Sequence, residues 1–396
     1  MVGTLKRSRS SCSQLGKLDK SISRDVSYYF PDGNAVFLVG NVLFKLHSSL
    51  LMRECELFEN MFTLPVKRLR SSEPVEGSCD EHPIVVPHVE PQPFRHFLLM
   101  FYGRPSDTDY RSLMMDATDP NNHTASALLK LIDVADMAHR FVAPELEAWA
   151  LGQLKQFSIS TDKLSKHHIS PASQLKFLRY ANLALDKDLI CWVRHWIRYH
   201  YVWAVDPSLA RPAFTTKAIE RVREQLVRLF KIPYLRDTES SLFGFTFCLL
   251  LSLGHKFWNK AALLTRQDRI ILLSGQVYLT PLPKSRVSLQ WLDAYAQGKD
   301  ETSHSRHKPC ARCLITRAWD DAFGGTYREM LNSNIPLAGI SALVLLPHRR
   351  QRFADAIQKL SPTVCSIKCQ ESILKFVDRH IDNVYAQVAT FWKDVE

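Results

Sequence analysis

Four residues at constant spacing carry the most legible coordination chemistry in the chain. His304, His307, Cys310 and Cys313 read H-x2-H-x2-C-x2-C, and Cys365 and Cys369 follow at i,i+4 spacing in a segment of helical periodicity. Thiolates suit zinc, a borderline-soft ion whose ligands lose their protons on binding. Two cysteine pairs would close a tetrahedral site and pin a polar loop to the terminal helix. Cys310, Cys313, Cys365 and Cys369 are therefore the expected ligands of a structural zinc ion. The two histidines lie in a Lys/Arg-rich loop and are the weaker half of the set. The competing reading makes Cys365 and Cys369 small buried hydrophobes, and C-x3-C is the less usual spacing. No activating carboxylate accompanies the cluster, so a bound metal would hold structure and not drive a reaction.

The other reactive side chains stand alone. His139 falls in a helical pattern, and His167-His168 is a pair in a loop to which no role is assigned. Trp192, Trp196, Trp203 and Trp258 recur among apolar residues and are expected to pack between helices. The phosphate-cradling G-x-x-x-x-G-K, the dinucleotide G-x-G-x-x-G and the G-x-S-x-G elbow are all missing from the sequence. No nucleophile–base pairing can be proposed, and a non-enzymatic protein is expected.

The elements that must position these residues follow from composition and periodicity. The 396 residues are 46% hydrophobic and 23% charged, enough for two or three globular domains. Nine cysteines, with no apolar signal-peptide core near the start, point to a reducing, intracellular setting, cytoplasm or nucleus. The most apolar stretch, Leu242 to Leu253, is short and interrupted by Gly244 and Thr246, as expected of a buried helix and not of a bilayer span. The formal net charge is +11, and the first thirty residues contribute six cations against two carboxylates. Residues 1–27, rich in Ser, read as a disordered basic tail. A basic tail can steer toward nucleic acid or an import receptor, but no stripe of cations interleaved with aromatics marks a specific nucleic-acid face.

Residues 28–157 read as a first domain and 158–396 as a mostly helical second one. Thr63–Pro83 and Ser106–His123 are expected to be polar loops within the first, and Gly298–Pro309 within the second. Ser170-Pro171 starts a helix carrying Leu175, Leu178 and Leu185 on its apolar side. Near the C-terminus, Ile373, Val377, Ile381, Val384, Val388 and Phe391 step by 3 and 4, predicting one long helix.

The densest pattern is Asp32 to Phe62. Ala35–Val39 is an apolar run, Gly40-Asn41 suits a tight hairpin, and Val42–Leu46 returns. Leu50, Leu51, Leu57, Phe58, Met61 and Phe62 then recur at helical spacing. Gly40, Phe44, His47, Leu50-Leu51, Phe58 and Met61-Phe62 resemble the opening of a BTB/POZ domain. The later Val89, Phe94, Leu98-Leu99 and Tyr102-Gly103, and the run Leu131 to Asp136 with Phe141 and Leu146, are similar to its closing helices. The wording from Tyr28 to Asn34 is similar to fungal BTB proteins with a helical C-terminal region. The resemblance covers about a third of the chain and implies an α+β fold, a small sheet flanked by helical hairpins, followed by a helical domain.

It also implies a protein-interaction platform that forms a homodimer, with the helical region binding a further partner. In that family the residue matching His47 serves packing and backbone hydrogen bonding. Two other readings stay open: a substrate adaptor for a cullin-type ubiquitin ligase, by analogy with that fold, and a transcription or chromatin factor, prompted by the +11 charge and the basic tail. The chain departs from the family where corepressor-recruiting members carry an Asp and a Lys or Arg, since Asn34 and Ser48 stand there. The hydrophobic-x-Glu motif of cullin-binding adaptors is not found before Ile84.

Overall fold

A computed structural model describes residues 22–63, 75–164, 169–206, 215–280, 287–296, 309–333, 337–360 and 366–393, with 209, 282–283 and 335 between them. The chain divides into two compact units, 1–164 and 165–396, against the expected boundary at 157/158. The protein is mostly helical with one small mixed sheet, an α+β composition.

In the first unit the strands β1 (Ser23–Tyr29), β2 (Ala35–Val39), β3 (Val42–Leu46) and β4 (Ile84–Val86) form a sheet of order β1-β3-β2-β4. β2 and β3 are the antiparallel hairpin, with Val39 opposite Val42 and Phe37 opposite Phe44. Gly40 takes a left-handed φ of +59° in its two-residue turn, where a Cβ would be strained. The central position of the hairpin explains its apolar run: Ala35, Val36, Phe37, Val39, Val42, Leu43, Phe44 and Leu46 are all buried.

The edge strand β1 corrects the expected tail. Residues 23–27, read as disordered, run parallel to β3, with Ser23 beside Val42. What holds them is Asp25, buried, accepting from the amides of Ser27 and Tyr28 and from Arg95 Nε at 2.6 Å. An Asp in a Ser/Arg-rich stretch carries no sequence signal of burial. Residues 1–21 lie outside the described residues.

The expected single helix after His47 is two, α1 (Ser48–Glu54) and α2 (Glu56–Thr63). Cys55 between them is extended (φ −132°, ψ 111°), and the next amide, Glu56 N–H, donates to the carbonyl of Val142 at 3.0 Å. Val142 is itself left-handed, closing α5 (Ala125–Phe141). Between them lie α3 (Pro91–Tyr102) and α4 (Thr108–Thr118), and α6 (Pro144–Gln156) follows. α4 corrects the loop expected over Ser106–His123. Asp107 caps it through the amide of Asp109, and it buries only Leu113 and Ala117, too few apolar positions to show a period.

In the second unit the long helices Ser240–Lys260 and Ile367–Lys393 are neighbours in the core. The terminal helix buries Ile373, Val377, Ile381, Val384, Val388 and Phe391 along one side. Trp392 packs edge-on against Phe230, Phe243 and Phe247 at 5.3–5.7 Å. The helix Pro171–Leu183 starts as read, with Ser170 Oγ accepting from the amide of Ser173. Leu185 departs from the expectation: it lies past the helix end with φ +54° and is exposed. Among the described residues, Ser240–Lys260 is the one helix long and apolar enough to cross a membrane. Most of its apolar window is buried inside the fold, and its helix is interrupted at Gly254 (φ +71°, ψ 175°).

Candidate interaction surface

The motif residues divide into those that build the core of the first unit and those that stay partly open. Phe44, Leu51 and Phe58 are buried. Phe58 meets Phe37 edge-on at 5.6 Å and Phe141 at 4.9 Å, and Phe44 meets Phe94 edge-on at 5.0 Å. These contacts join the sheet to α2, α3 and α5 in one aromatic cluster. Leu50, Leu57, Met61 and Phe62 are only half-buried. Leu57, Met61 and Phe62 pack against that same core, and Phe62 meets Phe37 edge-on at 6.4 Å, so α2 turns one apolar side inward and leaves only its margin exposed.

His47 is a link between three segments. Its backbone amide donates to Tyr102 Oη at 3.0 Å, its Nδ1 lies 3.3 Å from the same oxygen, and its Nε2 lies 3.2 Å from Asp32 Oδ2. The hydrogen bond from His47 lowers the pKa of the exposed Asp32 carboxyl. Phe30 completes the cluster, stacked on Tyr102 at 4.8 Å. The histidine thus ties the end of β3 to the end of α3 and to the turn after β1. Two further histidines act alike: His96 Nδ1 lies 2.7 Å from Asp133 Oδ2, and His139 Nδ1 lies 2.9 Å from Glu147 Oε1.

Asn34 and Ser48 form a reciprocal neutral pair. Asn34 Nδ2 donates to Ser48 Oγ at 2.9 Å, and the Ser48 amide donates to Asn34 Oδ1 at 2.8 Å. The N-cap residue of α1, His47, makes no side-chain cap, so Asn34 caps this helix from the neighbouring loop.

Cysteine chemistry does not localise here. Cys55 is buried, and burial pushes its thiol up to about 12, far from the thiolate needed for nucleophilic attack. Of the expected zinc ligands, Cys310 and Cys313 lie in the helix Pro309–Phe323, their side chains outside what is described. Cys365, His304 and His307 also lie outside the described residues. Cys369 lies in the first turn of the terminal helix, its amide donating to the Ser366 carbonyl at 2.9 Å.

The second unit holds a buried ionic network that the sequence did not reveal. Arg194 pairs with Glu239 at 2.9 Å and Asp382 at 3.3 Å. Arg198 pairs with Asp382 and donates to Ser241 Oγ. Arg350 grips Asp378 through two hydrogen bonds of 2.8 Å. Burial disfavours the charge on Asp382, but Arg198 and Arg194 together hold its pKa below the usual range. His195 is buried, its Nε2 2.9 Å from Gln351 Oε1, and burial with nearby Arg350 pulls its pKa well below the ordinary 6.5. Each of these carboxylates is answered by a guanidinium, so the network fixes the helices 187–202, 240–260, 346–358 and 367–393 against each other. Trp192, Trp196, Trp203 and Trp258 are buried, and Trp258 Nε1 donates to the Leu250 carbonyl at 2.6 Å.

No protein-family model matches the chain, and neither the curated proteins nor the solved structures contain a significant match.

Proposed function

We propose that this is a non-enzymatic interaction protein: a BTB/POZ-type platform that pairs with a second copy of itself, joined to a helical unit that receives another protein. The observation that carries the reading is the division of the shared motif. Phe44, Leu51 and Phe58 lie inside the core, while Leu50, Leu57, Met61 and Phe62 keep partly exposed apolar margins along α1 and α2, the last three against that core. A self-complementary apolar side on a rigid unit is what a two-fold homodimer needs. The neutral Asn34–Ser48 pair supports apolar self-association over a charged recruiting pocket, because neither side chain offers a charge to a partner.

Sedimentation velocity of the full chain at tens of micromolar tests the reading. A species of two chains is expected, shifting toward one chain in Met61→Glu, whose carboxylate would have to be desolvated on pairing. A monodisperse single chain at that concentration refutes the self-association.

A further inference from the structure

The helix Leu346–Gln358 carries His348, Arg349, Arg350 and Arg352 in its first two turns, and of these only Arg350 is paired with a carboxylate among the described residues. Arg350 is buried and grips Asp378, just as Arg194 and Arg198 meet Glu239 and Asp382. Arg352 lies four positions after His348 and three after Arg349, so these three share a different side of the helix.

The fold holds the three together. Arg349 lies over the Tyr327 ring, 5.1 Å from guanidinium carbon to centroid, and its Nε is shut off from water with no acceptor. The His348 ring lies parallel to that of Tyr199, with 6.3 Å between centroids, and Arg352 is exposed. The side chains are near enough to act on one another. Burial and then Arg352 lower the pKa of Arg349, and burial with both guanidiniums lowers that of His348. The nearby carboxylates do not relieve this: Asp206 opposes the shift at His348 with the smallest effect, and Asp355, one turn on, accepts from Gln351 Nε2 at 2.8 Å. Like charges gathered where water is partly excluded are unfavourable until an anion answers them. A carboxylate is matched by one guanidinium fork. A phosphate monoester has three terminal oxygens and a charge of about −1.5 to −2, enough to accept from two.

We propose that Arg349 and Arg352, with His348 at their side, form a binding site for a phosphate monoester, carried by a small molecule or by a phosphorylated side chain of another protein. Both guanidiniums would donate to the phosphate oxygens, with Tyr327 keeping Arg349 in place. The site lies wholly within the helical unit and does not depend on the pairing of two chains.

The test uses the full chain with inorganic phosphate, a short phosphoserine peptide, its unphosphorylated form and a short DNA duplex, each titrated by calorimetry at fixed chloride. Inorganic phosphate or the phosphoserine peptide is expected to bind, and to weaken about tenfold or more in Arg349→Gln and in Arg352→Gln. Arg352 is exposed and unpaired among the described residues, so its substitution leaves the fold intact. Without phosphate, the urea midpoint of Arg352→Gln should equal or exceed that of the unaltered chain, because a like charge is removed. A lower midpoint makes Arg352 a structural residue and overturns the proposal. So does binding of neither phosphate probe, equal binding of the unphosphorylated peptide, or binding unchanged in either variant. Duplex binding lost in these variants, with neither phosphate probe bound, assigns the arginines to nucleic acid and also overturns it. Tighter binding of the phosphoserine peptide than of inorganic phosphate identifies a phosphorylated partner segment. The reverse identifies a small phosphorylated molecule, and both results keep the site.

Discussion

Replacing Gly244 with alanine separates two opposed physical effects. Gly244 lies in the helix Ser240–Lys260, where the terminal helix crosses it. A Cβ added there would collide with the carbonyl oxygen of Tyr385, and would lie 2.8 Å from the carbonyl carbon and 3.1 Å from the amide nitrogen of Ala389. All three atoms are backbone, so no side-chain rotation relieves the clash and the helices must move apart. Overpacking of a tight core costs about 1–3 kcal/mol, and two rigid backbones put this case at the upper end. Alanine is the better helix former by about 1 kcal/mol. The net expectation is a loss of ~2 kcal/mol, lowering the midpoint of a unit of this size by roughly 4–8 °C. Seven of the eight tryptophans lie in residues 165–396, so tryptophan fluorescence during urea or thermal unfolding reports this unit in particular. Unchanged stability, or a gain of about 1 kcal/mol as propensity alone dictates, would refute the close approach of the two helices.

Three further perturbations probe other parts. Arg350→Met strands Asp378 as a buried carboxylate and should cost about 3–5 kcal/mol, while Arg350→Met/Asp378→Leu should recover most of it in the same denaturation assay. Asn34→Ala removes the cap of α1 and should cost about 1 kcal/mol; an unchanged urea midpoint of the first unit would discount the cap. His348 is stacked on Tyr199, and burial with Arg349 and Arg352 brings its pKa down from 6.5 to about 4, against a smaller opposing pull from Asp206. The unfolded chain then takes up the proton first, so this stabilisation is complete above about pH 6.5 and is lost as pH falls through about 4. After discounting for partial exposure it amounts to roughly 2 kcal/mol, and unfolding midpoints measured across that window should fall less steeply in His348→Phe. His195, buried in the same unit, adds to the wild-type slope, so part of it should survive the substitution.

Period and turn chemistry were sufficient for the local elements. The β2–β3 hairpin with Gly40 at its turn, the helix start at Ser170-Pro171 and the long terminal helix follow from side-chain spacing and capping, which act within a few residues. Elements decided by distant partners were not legible. β1 depends on Asp25 reaching Arg95, seventy positions away, and the break at Cys55 depends on the carbonyl of Val142. α4 buries too little to display a period. His47 could be placed at a strand end from the sequence, but its link to Tyr102 and Asp32 exists only once three segments meet.

The same division holds for the second unit. The sequence by itself determined that the helices 240–260 and 367–393 are apolar enough to be buried, because burial follows from composition. Only the tertiary structure decided which charges enter that core. Arg194, Arg198, Arg350, Asp378 and Asp382 read as ordinary surface charges; in the fold pairing outweighs burial at Asp382, whereas at Asp378 burial outweighs Arg350 and holds its pKa above the usual range. It also decided which side of Arg266–Tyr278 is turned outward. A helix apolar on both sides has no preferred inner side of its own, and the choice was made by the helices packed against it.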